Sequence, residues 1–219
     1  MQLMESMMQT RFNTAAPSKA MPTSVDFLYD FGSPNAYYSH CVIPDIEACS
    51  DLEFVYVPVL LGGIFKATNN VSPAVSLQGI LNKPEYGRIE TERWLKRYPV
   101  AKFAPNPHFP VNTLMIMRGA IFAQDKDYSK RYIDAMFDCM WGNPRKMDEL
   151  EVFSAALEEY DLPAGDILAG IQDPEVKQKL IDSTNAAVAR GAFGSPTFFL
   201  GDEIYFGKEK LRDIEEAVS

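Results

Sequence analysis

The chain of 219 residues has an ordinary globular composition, with 47% hydrophobic and 23% charged side chains. A sequence of this length and composition can bury a substantial core, which excludes a disulfide-stabilised miniprotein and a wholly disordered chain. Its net charge of −9 has the wrong sign for binding nucleic acid or an anionic lipid surface through counterion release. We therefore expect no nucleic acid and no membrane among its partners.

Cysteine and histidine are scarce in the sequence. The three cysteines form no C-x-x-C pair, and the two histidines, His40 and His108, have no metal-ligand spacing. Neither a disulfide framework nor a metal site is expected, and a reducing cytoplasm suits the chain best. Residues 1–24 contain no uninterrupted apolar run long enough for a signal peptide, so we predict a disordered tail there.

The first structured unit is predicted to be a strand, a tight turn and a helix. The alternating apolar residues of VDFLYDF, starting at Val25, favour a strand with those residues on one face. In the turn that follows, Ser33 can cap a helix and Pro34 suits its first turn. The helix should be kinked at Pro44. A second strand, LEFVYVPVLL from Leu52, would lie parallel to the first because a helix connects them.

Residues 64–190 show several helical patterns and almost no strand signal. The predicted helices are PEYGRIETERWLKRY, TLMIMRGAIFAQ, SKRYIDAMFDCMWG, MDELEVFSAALEEY and PEVKQKLIDSTNAAVARG. The last residues return to two strands, PTFFLG and EIYF, which Gly201-Asp202 should join as a hairpin, and close with the helix KEKLRDIEEAV.

This order, βαβ, helical block, ββα, is that of the thioredoxin fold. We therefore predict an α/β protein in which residues 25–63 and 191–219 form a thioredoxin-like domain. A large all-helical insertion, residues 64–190, would lie between its two halves.

In a thioredoxin fold the first helix presents the reactive group at its N-terminus, where this chain has Ser33-Pro34-Asn35-Ala36 instead of C-x-x-C. No thiolate for disulfide exchange is available at this position. The free N–H groups and the dipole of a helix N-terminus would still stabilise a thiolate that a ligand brings in. A simple helix cap is the alternative for Ser33. Pro196, directly before a strand, matches the cis proline of this fold, with an ordinary trans proline as the alternative.

Several separated motifs across about residues 25–217 resemble the 2-hydroxychromene-2-carboxylate isomerases, which are related to kappa-class glutathione transferases and to DsbA-type thioredoxin proteins. They are YDFGSPNAYYSH, VPVLLGGIFKATNN, FAPNPHFPVNTLMIMRG, AVARGAFGSPTFF and GDEIYFGKEKL, together with Lys83 and Tyr86. The resemblance implies glutathione as the cofactor and Ser33 as the catalytic residue that hydrogen-bonds the glutathione sulfur. It also implies a homodimer.

Further glutathione contacts follow from the resemblance. Ser195 and Pro196 are implied to offer backbone groups to the cysteinyl part of glutathione, and Tyr86 is implied to meet glutathione or the substrate. Where the family has a Trp-Gly-Asn-Asp-Arg-Leu type motif, this chain has FGKEKL. Glu209 there keeps a carboxylate for the γ-glutamyl ammonium, and Lys208 places a positive group where the family has a small polar one.

The resemblance also implies three substrate contacts. Asn70 matches a family asparagine near the substrate, and Lys83 would pair with the substrate carboxylate. Asn112 matches an asparagine in the loop before the central helix. A solvated lysine is the alternative for Lys83, and a helix cap is the alternative for Asn112.

The implied substrate is a small aromatic carboxylate, a bicyclic hemiketal acid that opens to an o-hydroxybenzylidenepyruvate. Its isomerisation needs rotation about a carbon–carbon double bond, which a thiolate permits by adding to the conjugated carbon and leaving again. A kappa-like glutathione transferase is one alternative, since it uses the same thiolate but releases a conjugate. A non-catalytic thioredoxin-fold binding or chaperone module is another, and it would need neither the Ser33 hydroxyl nor glutathione.

Overall fold

A four-stranded mixed sheet forms the centre of the protein. The computed structural model describes residues 22–77 and 79–218. The strands are β1 (Thr23–Tyr29), β2 (Leu52–Pro58), β3 (Thr197–Leu200) and β4 (Glu203–Phe206). They follow the order β2-β1-β3-β4, in which β1 is parallel to β2, and both β1 and β4 are antiparallel to β3. The predicted parallel βαβ unit and the C-terminal hairpin are therefore confirmed.

Helices fill the described part of the chain between the two halves of the sheet. α1 (Pro34–Cys49) connects β1 to β2. The helices between β2 and β3 are α2 (Leu61–Thr68), α3 (Pro73–Ser76), α4 (Lys83–Arg97), α5 (Leu114–Ala123), α6 (Ser129–Phe137), α7 (Leu150–Glu159), α8 (Ala164–Gly170) and α9 (Pro174–Ala189). A π-helical turn, Asp138–Gly142, continues α6, and a 3₁₀ turn, Lys208–Lys210, precedes α10 (Leu211–Ala217). The thioredoxin-like order of elements is as predicted.

The boundaries near β2 differ from the prediction. The predicted strand through residue 61 stops at Pro58, and Leu61 already starts α2. The N–H of Val59 still donates to the Tyr29 carbonyl of β1 at 3.0 Å, but side chains instead of a neighbouring strand accept the two N–H groups that follow. Thr184 accepts the N–H of Leu60 at 2.9 Å, and Asp30 accepts that of Leu61 at 2.7 Å. The short helices α2, α3 and α8 were not predicted.

The predicted tail, residues 1–24, lies outside the described residues up to position 21. Its last two residues, Thr23 and Ser24, already pair with β2. At its other end, β1 stops at Tyr29, two residues before the end of the predicted strand. The turn that carries Ser33 therefore begins at Asp30.

Apolar clusters cover both faces of β1. The alternating residues of the first strand and its exit are fully buried in the larger cluster: Val25, Phe27, Tyr29 and Phe31. On the opposite face, Leu28 packs in a smaller cluster with Ile64 of α2 and Ala187 of α9. The Ser33 turn thus leaves a strand that is held from both sides. Within residues 22–77 and 79–218, no helix combines the length and apolar character needed to cross a membrane.

Candidate active site

Ser33 is the N-cap of α1. Its Oγ accepts a hydrogen bond from the N–H of Ala36 at 3.2 Å, and Pro34 lies in the first helical turn. The same hydroxyl donates to the carbonyl oxygen of Ser195 at 2.8 Å, and Ser33 is only 4% exposed. Ser33 therefore caps its helix, but its proton is directed at the loop before β3, which capping alone does not require.

The loop before β3 presents peptide groups beside this hydroxyl. The Ser195–Pro196 peptide bond is cis. The Oγ of Ser195 accepts the N–H of Asp30 at 3.2 Å and donates to the carbonyl of Leu28 at 3.3 Å, which fixes the loop to β1. The N–H of Ser195 has no hydrogen-bond partner among the described residues. The backbone at this position thus offers one donor and one acceptor next to Ser33.

The buried side chain of Asp30 stabilises the turn through hydrogen bonds. Asp30 is fully buried, and its oxygens accept the N–H groups of Gly32 at 2.8 Å and Leu61 at 2.7 Å. Burial raises the pKa of Asp30 above its ordinary value, and bonds from Leu61, Gly32 and the Thr113 side chain oppose this shift. Sequence analysis missed Asp30. An acidic residue at the end of a strand covered on both faces was the available signal, because such a position is buried.

Glu209 and Lys208 lie beside Pro196, because the N–H of Gly207 donates to the Pro196 carbonyl at 3.0 Å. The Lys208 side chain is 4% exposed and pairs with the carboxylate of Glu209, whose side chain is 55% exposed. The ammonium also lies 5.6 Å from the ring centroid of Trp94 in α4. Lys208 is thus a buried support for Glu209, and Glu209 is the member of the pair that a ligand can reach.

Asn70 reaches the same loop from the other side. α2 is terminated by Asn69 in the left-handed conformation, φ 53°, which asparagine tolerates. The Asn70 side chain then donates to the carbonyl of Phe193 at 2.8 Å and accepts the N–H of Val71 at 2.8 Å. Asn70 therefore contacts the segment two residues before Ser195. Its second amide hydrogen has no partner among the described residues.

Three predicted site residues are not joined to Ser33 by any contact in the described structure. Lys83 and Tyr86 lie in the first turn of α4, and both are exposed, Tyr86 by 53%. Asn112 is exposed, and its Oδ1 accepts the N–H of Leu114 at 3.0 Å at the start of α5. This bond matches the helix-capping alternative for Asn112. The ligand contacts of these three residues stay predictions.

Aromatic rings lie next to the turn and next to the loop before β3. Trp141, in the π-helical turn after α6, donates its indole N–H to the carbonyl of Phe31 at 2.7 Å and stacks on Phe103. On the other side, the rings of Phe193 and Phe206 lie 4.4 Å apart. Phe103, Phe193 and Phe206 each keep about two-fifths of their surface exposed. These apolar walls, which sequence analysis did not identify, suit an aromatic ligand.

Two of the three thiols of the chain are poor candidates for redox chemistry. Burial raises the pKa of Cys41 and of Cys139 to about 11, so both are protonated at neutral pH. Cys49 is a free, exposed thiol at the end of α1. Among residues 22–77 and 79–218, no cluster of three or more His, Cys, Asp or Glu side chains is placed to hold a metal ion.

Comparison with known proteins supports this architecture. The model of the DSBA-like thioredoxin domain matches residues 24–219. The 2-hydroxychromene-2-carboxylate isomerase of Pseudomonas sp. (strain C18) is 27% identical over 197 residues, covering 89% of each chain. Glutathione S-transferase kappa 1 of Rattus norvegicus is 24% identical over 185 residues, covering 80% of each chain. A solved structure of a 2-hydroxychromene-2-carboxylate isomerase superimposes with a TM-score of 0.75 at 24% identity, covering 89% of this chain and 93% of that one.

Proposed function

The chain belongs to the family of DSBA-like thioredoxin domains, and we propose that it is a glutathione-dependent isomerase of a 2-hydroxychromene-2-carboxylate-like aromatic acid. The observation that carries the proposal is the placement of the Ser33 hydroxyl. It caps α1 and, at the same N-terminus, donates to the Ser195 carbonyl. The isomerase of Pseudomonas sp. (strain C18), similar over 89% of this chain, supports the reaction class.

The residues present fit a glutathione molecule. Ser195 offers an N–H without a partner among the described residues and a carbonyl, the pair of groups that an extended peptide backbone needs. The exposed carboxylate of Glu209, held by Lys208, can pair with the γ-glutamyl ammonium. The chemistry that glutathione supplies when bound is a thiolate, which can add to a conjugated carbon and leave again after rotation about the bond.

The protein's first task is to favour the thiolate over the thiol at neutral pH. The N-terminus of α1 provides the N–H of Asn35, which has no acceptor among the described residues, and the positive end of the helix dipole. Ser33 adds a hydroxyl donor in a buried site, where hydrogen bonds to an anion are strong. A ligand N–H on the Ser195 carbonyl would replace the Ser33 bond there. The hydroxyl would then be free to rotate toward the sulfur.

The second task is to bind the substrate and its developing negative charge. Asn70, which lies beside the loop before β3, has an unused amide hydrogen that can stabilise an enolate oxygen. The resemblance assigns Lys83 to the substrate carboxylate, Asn112 to the substrate, and Tyr86 to glutathione or the substrate, and we keep these assignments as part of the proposal. The exposed rings of Phe103, Phe193 and Phe206 would flank the aromatic part of the substrate.

A kappa-like glutathione transferase is the second candidate, favoured by the similarity to the rat kappa 1 enzyme over 80% of this chain. Both functions use the thiolate at Ser33. They differ in the fate of glutathione, because an isomerase returns it as free thiol and a transferase consumes it as a thioether. A homodimer and a cytoplasmic setting, in which glutathione stays reduced, complete the proposal.

The test is to mix the purified protein with glutathione and either isomer of the substrate and to follow the ultraviolet spectrum. We expect both isomers to reach one equilibrium mixture at a rate that saturates with glutathione, with all of the free thiol recovered at the end. Ophthalmate, which carries a methyl group in place of the thiol, should bind without supporting the reaction. An equal rate without glutathione would contradict the proposal, and stoichiometric loss of thiol would establish the transferase instead.

A further inference from the structure

Arg118 of α5 is a cation without an anion. Its Nε is buried and has no hydrogen-bond partner, and its guanidinium forms no ion pair within residues 22–77 and 79–218. In contrast, the structure pairs several other arginines with carboxylates: Arg88, Arg93, Arg145, Arg190 and Arg212. A buried donor left unpaired costs stability, so a native protein that keeps one usually has a reason for it.

Two neighbouring cavities share Arg118 and Leu114 as walls. The larger, about 330 Å³, is lined by Asn112, Leu114, Met115, Arg118, Asp148, Ile171 and Gln172. The smaller, about 210 Å³, is lined by Leu60, Gly63, Leu114, Arg118, Lys177, Leu180, Ile181, Thr184 and Asn185. Most of the wall surface of the smaller cavity is apolar. The guanidinium thus stands between an apolar compartment and a polar one, an arrangement suited to a ring that bears one charged group.

Both cavities are lined by residues that are sequence neighbours of residues in contact with the Ser33 turn. Thr113, the residue before α5, lies against that turn, since a Cβ at Gly32 would meet its Cγ2 at 3.2 Å. Arg118 is five residues further along, about 7.5 Å of helix rise. From the other side, Leu60 lines the smaller cavity and is followed by Leu61, whose N–H bonds Asp30 in the turn. A small ligand in these cavities would therefore lie near the N-terminus of α1.

The charges around Arg118 leave its guanidinium available. Lys177 also lines the smaller cavity, and its ammonium is 3.4 Å from the side-chain oxygen of Gln172. Asp148 lines the larger cavity but forms no ion pair with Arg118. The two cations and one carboxylate give the cavity walls a net positive charge, in a chain whose overall charge is −9. An anion of one negative charge is the ligand that balances them.

We propose that Arg118 of α5 binds the carboxylate of the aromatic acid substrate in these two cavities, of which the smaller lies against α2 and α9 and the larger lies against Asp148 and the residues that follow α8. A guanidinium presents two parallel N–H donors that match the two oxygens of a carboxylate, whereas an ammonium acts as a point charge. The apolar residues of the smaller cavity would contact the part of the substrate that adjoins its carboxylate. This assignment rests on the proposed function and gives the substrate site an anchor independent of the exposed Lys83.

The experiment measures binding of chromone-2-carboxylate, a planar acid that cannot isomerise, and of its neutral carboxamide, by calorimetry with glutathione present. We expect the wild type to bind the carboxylate more tightly than the carboxamide. Arg118→Gln should weaken carboxylate binding by about ten- to a hundredfold and leave carboxamide binding nearly unchanged. The affinity of Arg118→Lys for the carboxylate should lie between those of the wild type and Arg118→Gln. Arg131→Gln, which changes an exposed arginine of α6, is the matched control and should behave as wild type.

The binding of glutathione and the melting temperature, measured on the same variants, separate the possible outcomes. The proposed function fails if glutathione neither binds nor supports turnover, whatever Arg118 does. The Arg118 assignment fails if Arg118→Gln keeps the wild-type preference for the carboxylate, or if glutathione binds while the wild type shows no such preference. Equal loss of carboxylate, carboxamide and stability in both Arg118 variants would show a structural role only and would also overturn it.

Discussion

Replacing Ser33 by alanine removes two hydrogen bonds at once. The bond that Ser33 accepts from Ala36 is the helix cap, and its loss should cost about 1 kcal/mol. The bond that it donates to the Ser195 carbonyl is buried and joins α1 to the loop before β3, which adds about 1 kcal/mol. The sum of about 2 kcal/mol corresponds to a fall of about 4–8 °C in melting temperature for a chain of this length.

The effect on the bound thiol follows from the same geometry. A hydrogen bond to an anion contributes about 1.5–3 kcal/mol. The Ser33 hydroxyl must first give up its bond to Ser195, worth about 1 kcal/mol, so the net effect on the thiolate is about 0.5–2 kcal/mol. Ser33→Ala should therefore raise the pKa of the bound thiol by about 0.4–1.5 units. Turnover at neutral pH should fall by about three- to thirtyfold and recover as the pH rises.

The assay is the rate of isomerisation against pH at saturating glutathione, taken beside thermal unfolding. Ser39→Ala is the matched control, because Ser39 is a buried serine of α1 whose hydroxyl bonds only the Asn35 carbonyl within its own helix. Its pH profile should overlay that of the wild type. If Ser33→Ala lowers the melting temperature but leaves the pH profile unchanged, Ser33 is a helix cap only and the thiolate reasoning is wrong.

Three further results are expected. The protein should not accelerate the reduction of insulin disulfides by dithiothreitol, because Ser33 stands at the attacking position and burial raises the pKa of Cys41 to about 11; clear acceleration would refute this. Glu209→Gln should weaken glutathione binding by about three- to tenfold, whereas Glu203→Gln in β4 should not, and calorimetry will show whether they differ. Asn70→Ala should lower kcat at saturating substrate by about tenfold or more, and an unchanged kcat would remove Asn70 from oxyanion stabilisation.

The order of elements and the cap at Ser33 could be predicted from the sequence because both depend on local signals. Alternation in VDFLYDF, the Ser-Pro pair and the hairpin signal at Gly201-Asp202 all act within a few residues. The hydrogen bond between Ser33 and Ser195 joins residues 162 positions apart. It followed from no local pattern, and only the resemblance placed the two residues in one site.

The residues that sequence analysis missed or described incompletely depend on distant partners. The start of α2 is fixed by the hydrogen bond from the Leu61 N–H to the Asp30 side chain. No hydrophobic periodicity near residue 61 predicts this long-range contact. The charged segment FGKEKL predicts an ordinary surface lysine at Lys208. It is buried because Trp94, 114 positions earlier in the sequence, packs over it. The Lys208 ammonium makes a cation–π contact with the Trp94 ring. The sequence around Arg118 likewise predicts only an apolar helix. The two cavities that Arg118 lines show that a ligand could reach its side chain.

The most direct measurement is the ultraviolet absorbance of the thiolate in glutathione bound to the wild-type protein, recorded as a function of pH. We expect a titration midpoint clearly below the ordinary cysteine value of about 8.5, because the N-terminus of α1 and the Ser33 hydroxyl favour the anion. S-methylglutathione, which has no thiol, supplies the baseline. A midpoint equal to that of free glutathione, with binding demonstrated in the same sample, would contradict the central claim that this helix N-terminus holds a thiolate.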